Sequence, residues 1–279
     1  MVTEGFRKSA RSLMLLIAGL LLSEPALAQH VFTILPRTTA EDENPVTFMR
    51  PYYAIHAAAG SSLSSPPSTA YTPVQIRHAY GFDQLANQGA GQVIGIVDAY
   101  DDPNAEADLA VFDAQFGLPA CTSANGCFRK IYSGGQPAAN ANWALEIALD
   151  VEWAHAIAPK AAIVLVETPT NSLANLLAGV DVAVRNGASA VSMSWTVAEF
   201  SGENSYDNHF TASGVTFFAA AGDSGTGVAY PAASPDVVGV GGTSLHLNSS
   251  GDYQSETAWS SSGGGLEDPW AGTENSSRR

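Results

Sequence analysis

The sequence predicts an α/β domain with a mostly parallel sheet lying between helices. Two observations predict it. Short, continuous, β-branched-rich apolar runs recur between Val93 and Gly242, as strands buried on both faces require. Stretches with helical periodicity separate these runs, and strands joined by helical crossovers are parallel.

Taken in order, VIGIV (93–97) is the first strand. AEADLAVFDAQFG (105–117) is a helix that stops on Gly117, with Pro119 beyond it. NWALEIALDVEWAHAIAP (142–159) is a second helix, ended by Pro159. AAIVLVE (161–167) is a strand, and NSLANLLAGVDVAVRNG (171–187) is a helix that opens on a capping Asn or Ser and closes on Gly187. SAVSMSW (189–195) reads as a strand, SYDNHFTASG (205–214) as a helix, VTFFAAAG (215–222) as a strand and DVVGVGG (236–242) as a short strand. Sheets of this kind carry their sites at the carboxyl ends of the strands. Here those are the segments after Val97, Ser194 and Ala221.

The chain has 279 residues, of which 46% are hydrophobic and 14% charged, so wholesale disorder is excluded. With only 12 Lys+Arg and a formal net charge of −15, it is a poor partner for phosphate backbones, and no nucleic acid is expected. Arg7, Lys8 and Arg11, the apolar run Leu13–Leu22 and Ala26-Leu27-Ala28 form the pattern of a secretory signal over residues 1–28. The run is too short to span a bilayer, so a secreted, extracellular or periplasmic protein without a membrane anchor is expected. Residues 29–71, rich in Ala, Ser and Pro, read as a leader or linker without its own core. In an oxidising compartment Cys121 and Cys127 form a small disulfide loop. The alternative, half of a metal site, lacks further Cys or a nearby His in the sequence.

The helix 142–159 is apolar almost all round, yet Glu146 and Asp150 stand one turn apart on one face. At a helix surface such a pair costs only about 0.2–0.5 kcal/mol. In an apolar setting one carboxyl keeps a proton and the pair shares it, an arrangement suited to acid–base chemistry. The bland alternative is that both point to solvent from a rim of the helix. Asp98, at the end of the first strand, either lines the same site or caps the next segment beside Asp101 and Asp102. A metal cluster of these three lacks a matched spacing, and no metal site is assigned.

The stretch AIAPKAAIVLVE continues this helix into a strand. This helix–Ala-Pro–strand pattern resembles subtilisin-like peptidases, in which the helix carries a catalytic histidine. His155 lies off the pair's face, and Glu146 stands where the base belongs. The chain therefore resembles the sedolisins, serine-carboxyl peptidases on a subtilisin-like fold. TPVQIRHAYGFDQL, GAGQVIGIVDAYDD, VSMSW, FFAAAGDSGTG and YPAASPDVVGVGGTSL agree, in order, over residues 72–265. The resemblance implies a partial peptidase domain acting on peptide or protein substrates at acidic pH, as a monomer. It implies Glu146 as general base, Asp150 as its orienting acid, Asp223 on the oxyanion side, and substrate binding at Ser194 and Trp195.

Two serines imitate nucleophiles. Ser224 in GDSG resembles trypsin-like enzymes, but those are antiparallel barrels. Ser244 in GGTS is followed by LHLNSSG, a strand and turn, and reads as structural. The family's nucleophilic GTS…P segment and its Asp-rich calcium site are not found. Residues 266–279 read as a divergent tail, so an incomplete, inactive catalytic domain with no identifiable cofactor is expected. The alternatives are a non-catalytic peptide-binding module and a Rossmann-like enzyme. The latter needs a glycine-rich turn that IVDAYDDPN does not offer.

Overall fold

The computed structural model describes residues 71–265 and the strand residues 30–34, 50–51 and 55–59. The signal-like residues 1–28, the rest of the leader and the tail 266–279 lie outside the described residues. Three strands belong to the leader: β1 (His30–Ile34), β2 (Arg50–Pro51) and β3 (Ile55–Ala59), with β1 and β3 paired antiparallel.

The catalytic-type unit opens on α1 (Pro73–Ala79), where TPVQ forms a capping box: Thr72 accepts from the Gln75 N–H, and the Gln75 side chain accepts from the Thr72 N–H. Arg77 then donates to the Ala156 and Ile157 carbonyls at 3.1 and 2.6 Å. It satisfies the last turn of the long helix and fixes where that helix ends.

Six parallel strands follow: β4 (Val93–Ala99), β5 (Phe128–Tyr132), β6 (Ala162–Thr168), β7 (Ala190–Met193), β9 (Thr216–Ala220) and β11 (Val237–Val240). Their order is β11-β9-β7-β4-β6-β5, with crossover helices α2 (Ala105–Phe116), α3 (Ala141–Ile157) and α4 (Leu173–Arg185). The apolar runs alternate between two cores. Val97, Val164 and Val166 pack with Leu176, Leu177 and Val180 of α4, whereas Ile96, Ile163 and Leu165 pack with Leu109 of α2 and Ile147 and Val151 of α3. The period-2 pattern of a strand is thus hidden by burial on both sides.

Some elements differ from the sequence reading. The predicted strand 189–195 breaks at Ser194, and β8 (Trp195–Ala198) leaves the parallel sheet to pair antiparallel with β10 (Ala229–Tyr230) and β2. The predicted helix 205–214 is a 3-10 turn, Glu203–Phe210, whose only buried side chain is Phe210. With so little apolar surface to bury, no α-helical face is stabilised. The strand β5 was not legible in FRKIY because it forms a sheet edge and carries two adjacent charged residues, Arg129 and Lys130, that break the apolar run. After β11 the chain turns into the hairpin β12 (Thr243–Leu247) and β13 (Tyr253–Ala258).

Candidate active site

Three elements converge at the carboxyl end of the sheet. The helix α3 runs back against the strands, so its first half, with Glu146 and Asp150, lies beside the ends of β4 and β9. Asn140 caps it by accepting from the N–H groups of Asn142 and Trp143. Asp98 is the penultimate residue of β4, and Asp223 follows β9.

Glu146 is buried, at 5% exposure, not at a solvent rim. Burial pushes its carboxyl well above the ordinary range, and the charges of Asp150, Asp98 and Asp223 push it further. Asp150 is raised to about 7 by burial, opposed by the Ser194 hydroxyl, which donates to it. Asp98 is fully buried, and neither carboxyl oxygen has a hydrogen-bond partner. Burial and the neighbouring Asp150 and Glu167 raise it well above the ordinary carboxylate range. Of the two roles open to Asp98 in the sequence, the structure gives it the one in the site. Asp150, Asp98 and Asp223 therefore all act on the buried Glu146, and Asp150 acts on the buried Asp98. Ionising all of them would leave several uncompensated buried charges, so the cluster retains protons.

Ser194 and Trp195 occupy different positions from one another. Ser194, half-buried at the break between β7 and β8, holds Asp150. The expectation that Trp195 forms a wall of a peptide cleft is corrected. It is 0% exposed, and its indole N–H donates to the Val97 carbonyl at 2.8 Å. An amphipathic ring with its one polar atom satisfied inside belongs to the core. It sits beneath the site, tying β8 to β4 one residue before Asp98.

The Asp223 loop is built by backbone. The Gly263 N–H donates to the Gly222 carbonyl at 2.5 Å, and the Gly225 N–H donates to the Ser261 carbonyl at 2.8 Å. SSSGGG is therefore the backing of the loop, a role its composition did not reveal. A Cβ on Gly263 would lie 1.9 Å from the Ala221 carbonyl oxygen. Gly263→Ala is expected to lower stability by about 2–3 kcal/mol. Urea unfolding of the variant beside the parent measures it.

The remaining candidates are dispersed. Ser224 is exposed in the loop after β9, within a parallel sheet unlike a trypsin-type barrel. Ser244 is 4% exposed and lies in β12 opposite Thr257 of β13. Asp101 pairs with Lys130, which also contacts Glu167 at 2.9 Å, and Asp102 accepts from the Asn104 N–H. Asp101 and Asp102 thus serve different partners, Asp98 has no hydrogen-bond partner, and among the described residues the three are not gathered at metal-ligand distance. Cys121 and Cys127 are joined as a disulfide. Folding also brings His155, distant in sequence, close to both sulfurs, and this is the one grouping of metal-ligand types found among the described residues. Sulfurs bonded to each other are not thiolate ligands.

A subtilase family model matches residues 134–272. Kumamolisin of Bacillus sp. (strain MN-32) is 34% identical over 263 residues, which is 81% of this chain and 45% of that protein. The chain thus spans less than half the length of this curated relative. A solved structure of Pseudomonas sedolisin, a serine-carboxyl proteinase complexed with two molecules of pseudo-iodotyrostatin, superposes with a TM-score of 0.57 at 22% identity. That match covers 68% of this chain and 58% of the other.

Proposed function

Because the chain belongs to the sedolisin branch of the subtilisin-like serine peptidases, we propose that it supplies the acid–base and oxyanion parts of a serine-carboxyl endopeptidase site. Such a site hydrolyses peptide bonds by acyl transfer in an acidic medium. The observation that supports this most is the burial of Glu146 beside the half-buried Asp150 on one face of α3, with Asp98 and Asp223 acting on the same charge.

In this reading a serine hydroxyl gives its proton to Glu146 while its oxygen attacks the peptide carbonyl. The proton already on Glu146 moves to Asp150, whose ionised form Ser194 supports. Asp223, protonated, donates to the carbonyl oxygen as negative charge develops there. The C–N bond then breaks, Glu146 returns a proton to the leaving amine, and water reverses the sequence on the acyl-enzyme. Acid is required because Asp223 must keep its proton. An exported protein, as residues 1–28 suggest, meets such media. No helix among the described residues is long and apolar enough to cross a membrane.

The serine itself is the open position. Apart from Gly242-Thr243-Ser244, whose serine is buried in β12, no GTS occurs in these 279 residues. The chain by itself is therefore expected to bind peptides without turning them over, and a protein that also carries the nucleophile segment is expected to cleave. Purified chain incubated with denatured protein at about pH 3–5, where carboxyls titrate, should release no peptides. A non-cleavable peptide should nevertheless bind, as read by titration calorimetry. Robust cleavage abolished by Ser244→Ala would sink this assignment of the site.

A further inference from the structure

The helix α3 carries a third acid that the peptidase reading does not use. Glu152 is 0% exposed, and neither of its carboxyl oxygens has a hydrogen-bond partner. It lies where α3 packs on α2, between the patch of Leu109 and Val151 and the patch of Phe112 and Ala156. From α2, Asp108 stands on the edge formed by Ala105, Leu109 and Phe112 and acts on Glu152 by its charge. From the loop after β4, Asp102 does the same, and its buried Oδ2 also has no hydrogen-bond partner.

We propose that Glu152, Asp102 and Asp108 form a second proton-binding site, separate from the peptide cleft, which must hold protons for α2 to stay packed on α3. The other charged groups around it do not neutralise it. Asp113 of α2 adds negative charge and spends its Oδ2 on the Cys121 N–H. His155 of α3 donates from Nε2 to the Pro119 carbonyl at 2.8 Å, with Asp113 at 3.4 Å. Lys130 of β5 is taken by Asp101, the Asp102 carbonyl and Glu167 of β6. Glu106 accepts from Ser123, Arg77 of α1 is spent on the end of α3, and Asp98 and Asp150 face the cleft. The grouping of ligands found among the described residues is the one around the disulfide, so these carboxyls are too dispersed to share one metal ion. Protons remain as the compensating cation.

Burial is the first cause that lifts all three groups, Asp102 to about 6, Asp108 to about 7 and Glu152 well above the ordinary range. Groups raised in the folded state bind more protons there than in the unfolded chain, whose carboxyls titrate near pH 4. Stability from this site is therefore complete below about pH 4 and is lost as pH rises through about 6 to 7. Neutral pH loosens the same helix that carries Glu146 and Asp150.

The test is thermal unfolding of the full chain at about pH 3.5 and pH 7, in parent, Glu152→Gln and Asp108→Asn, each also made in a Glu146→Gln/Asp150→Asn background to silence the cleft. Glu152→Gln should match the parent in acid and melt about 5 °C higher at pH 7. Hydrogen exchange at pH 7 should slow in residues 105–116. If Glu152→Gln does not fold in acid, the same rise in Asp108→Asn decides. Melting temperatures that fall with pH in parallel for parent and both variants, or exchange that changes only around the cleft, overturn the proposal. Because the readout is stability, loss of peptide binding leaves it untouched.

Discussion

Replacing Glu146 with Gln, in a protein that carries this chain together with the nucleophile segment, is expected to lower kcat by about three orders of magnitude while raising thermal stability at pH 7. Both effects come from one property. Glu146 is buried beside Asp150, Asp98 and Asp223, which raise its affinity for protons. In the proposed mechanism that affinity lets it take the serine proton. It also means that ionisation at neutral pH puts charge into a dry pocket. A group whose folded-state pKa is raised contributes stability that is complete below its unfolded value and is lost as pH climbs through the folded one. Glutamine removes the ionisation and keeps the shape. Stopped assays on a peptide substrate at about pH 4 and melting curves at acid and neutral pH measure the two arms. A variant that loses activity but melts like the parent at every pH would mean that Glu146 is solvated in the folded protein, against its 5% exposure.

Trp195→Ala is expected to cost about 3–5 kcal/mol of folding free energy, a large share of what a domain of this size has. The ring is 0% exposed and packs in the core with Phe217 and Tyr230, and its N–H satisfies the Val97 carbonyl. Removing it opens a cavity and leaves that buried carbonyl unpaired. Because Val97 precedes Asp98 and Trp195 follows Ser194, the same change frees the two elements that fix Asp98 and Asp150. Trp195→Phe should recover most of the volume and cost about 1–2 kcal/mol, mainly through the lost hydrogen bond. Urea unfolding at about pH 4 distinguishes the roles. If Trp195→Ala kept full stability and lost only peptide affinity, the ring would have to be a contact surface for substrate after all.

Legibility differed along the chain for physical reasons. The parallel strands at Val93 and Ala162 were readable because a strand buried on both faces has to be apolar throughout, whereas β11 was readable only because its apolar run extends to an exposed edge, with Val238 and Val240 about half exposed. The long helices were readable through their period and their stop residues. The edge strand β5 was not, because its residues Arg129 and Lys130 obey the surface. The break at Ser194 was not, because a hydrogen bond from Trp195 to a residue 98 positions away helps set it.

The site shows the same division. Residue identity and spacing were enough to show that two acids share one face of an apolar helix and that a third stands near the end of the first strand, because these are local quantities. Folding was needed to show that Glu146 is buried, that Asp98 joins it without a hydrogen-bond partner, that Ser194 holds Asp150, and that Asp102 and Asp108 act on the buried Glu152. What a carboxyl can do depends on its loss of water and on the charges around it. Both are set by residues that folding brings near, not by the residues next to it in the chain.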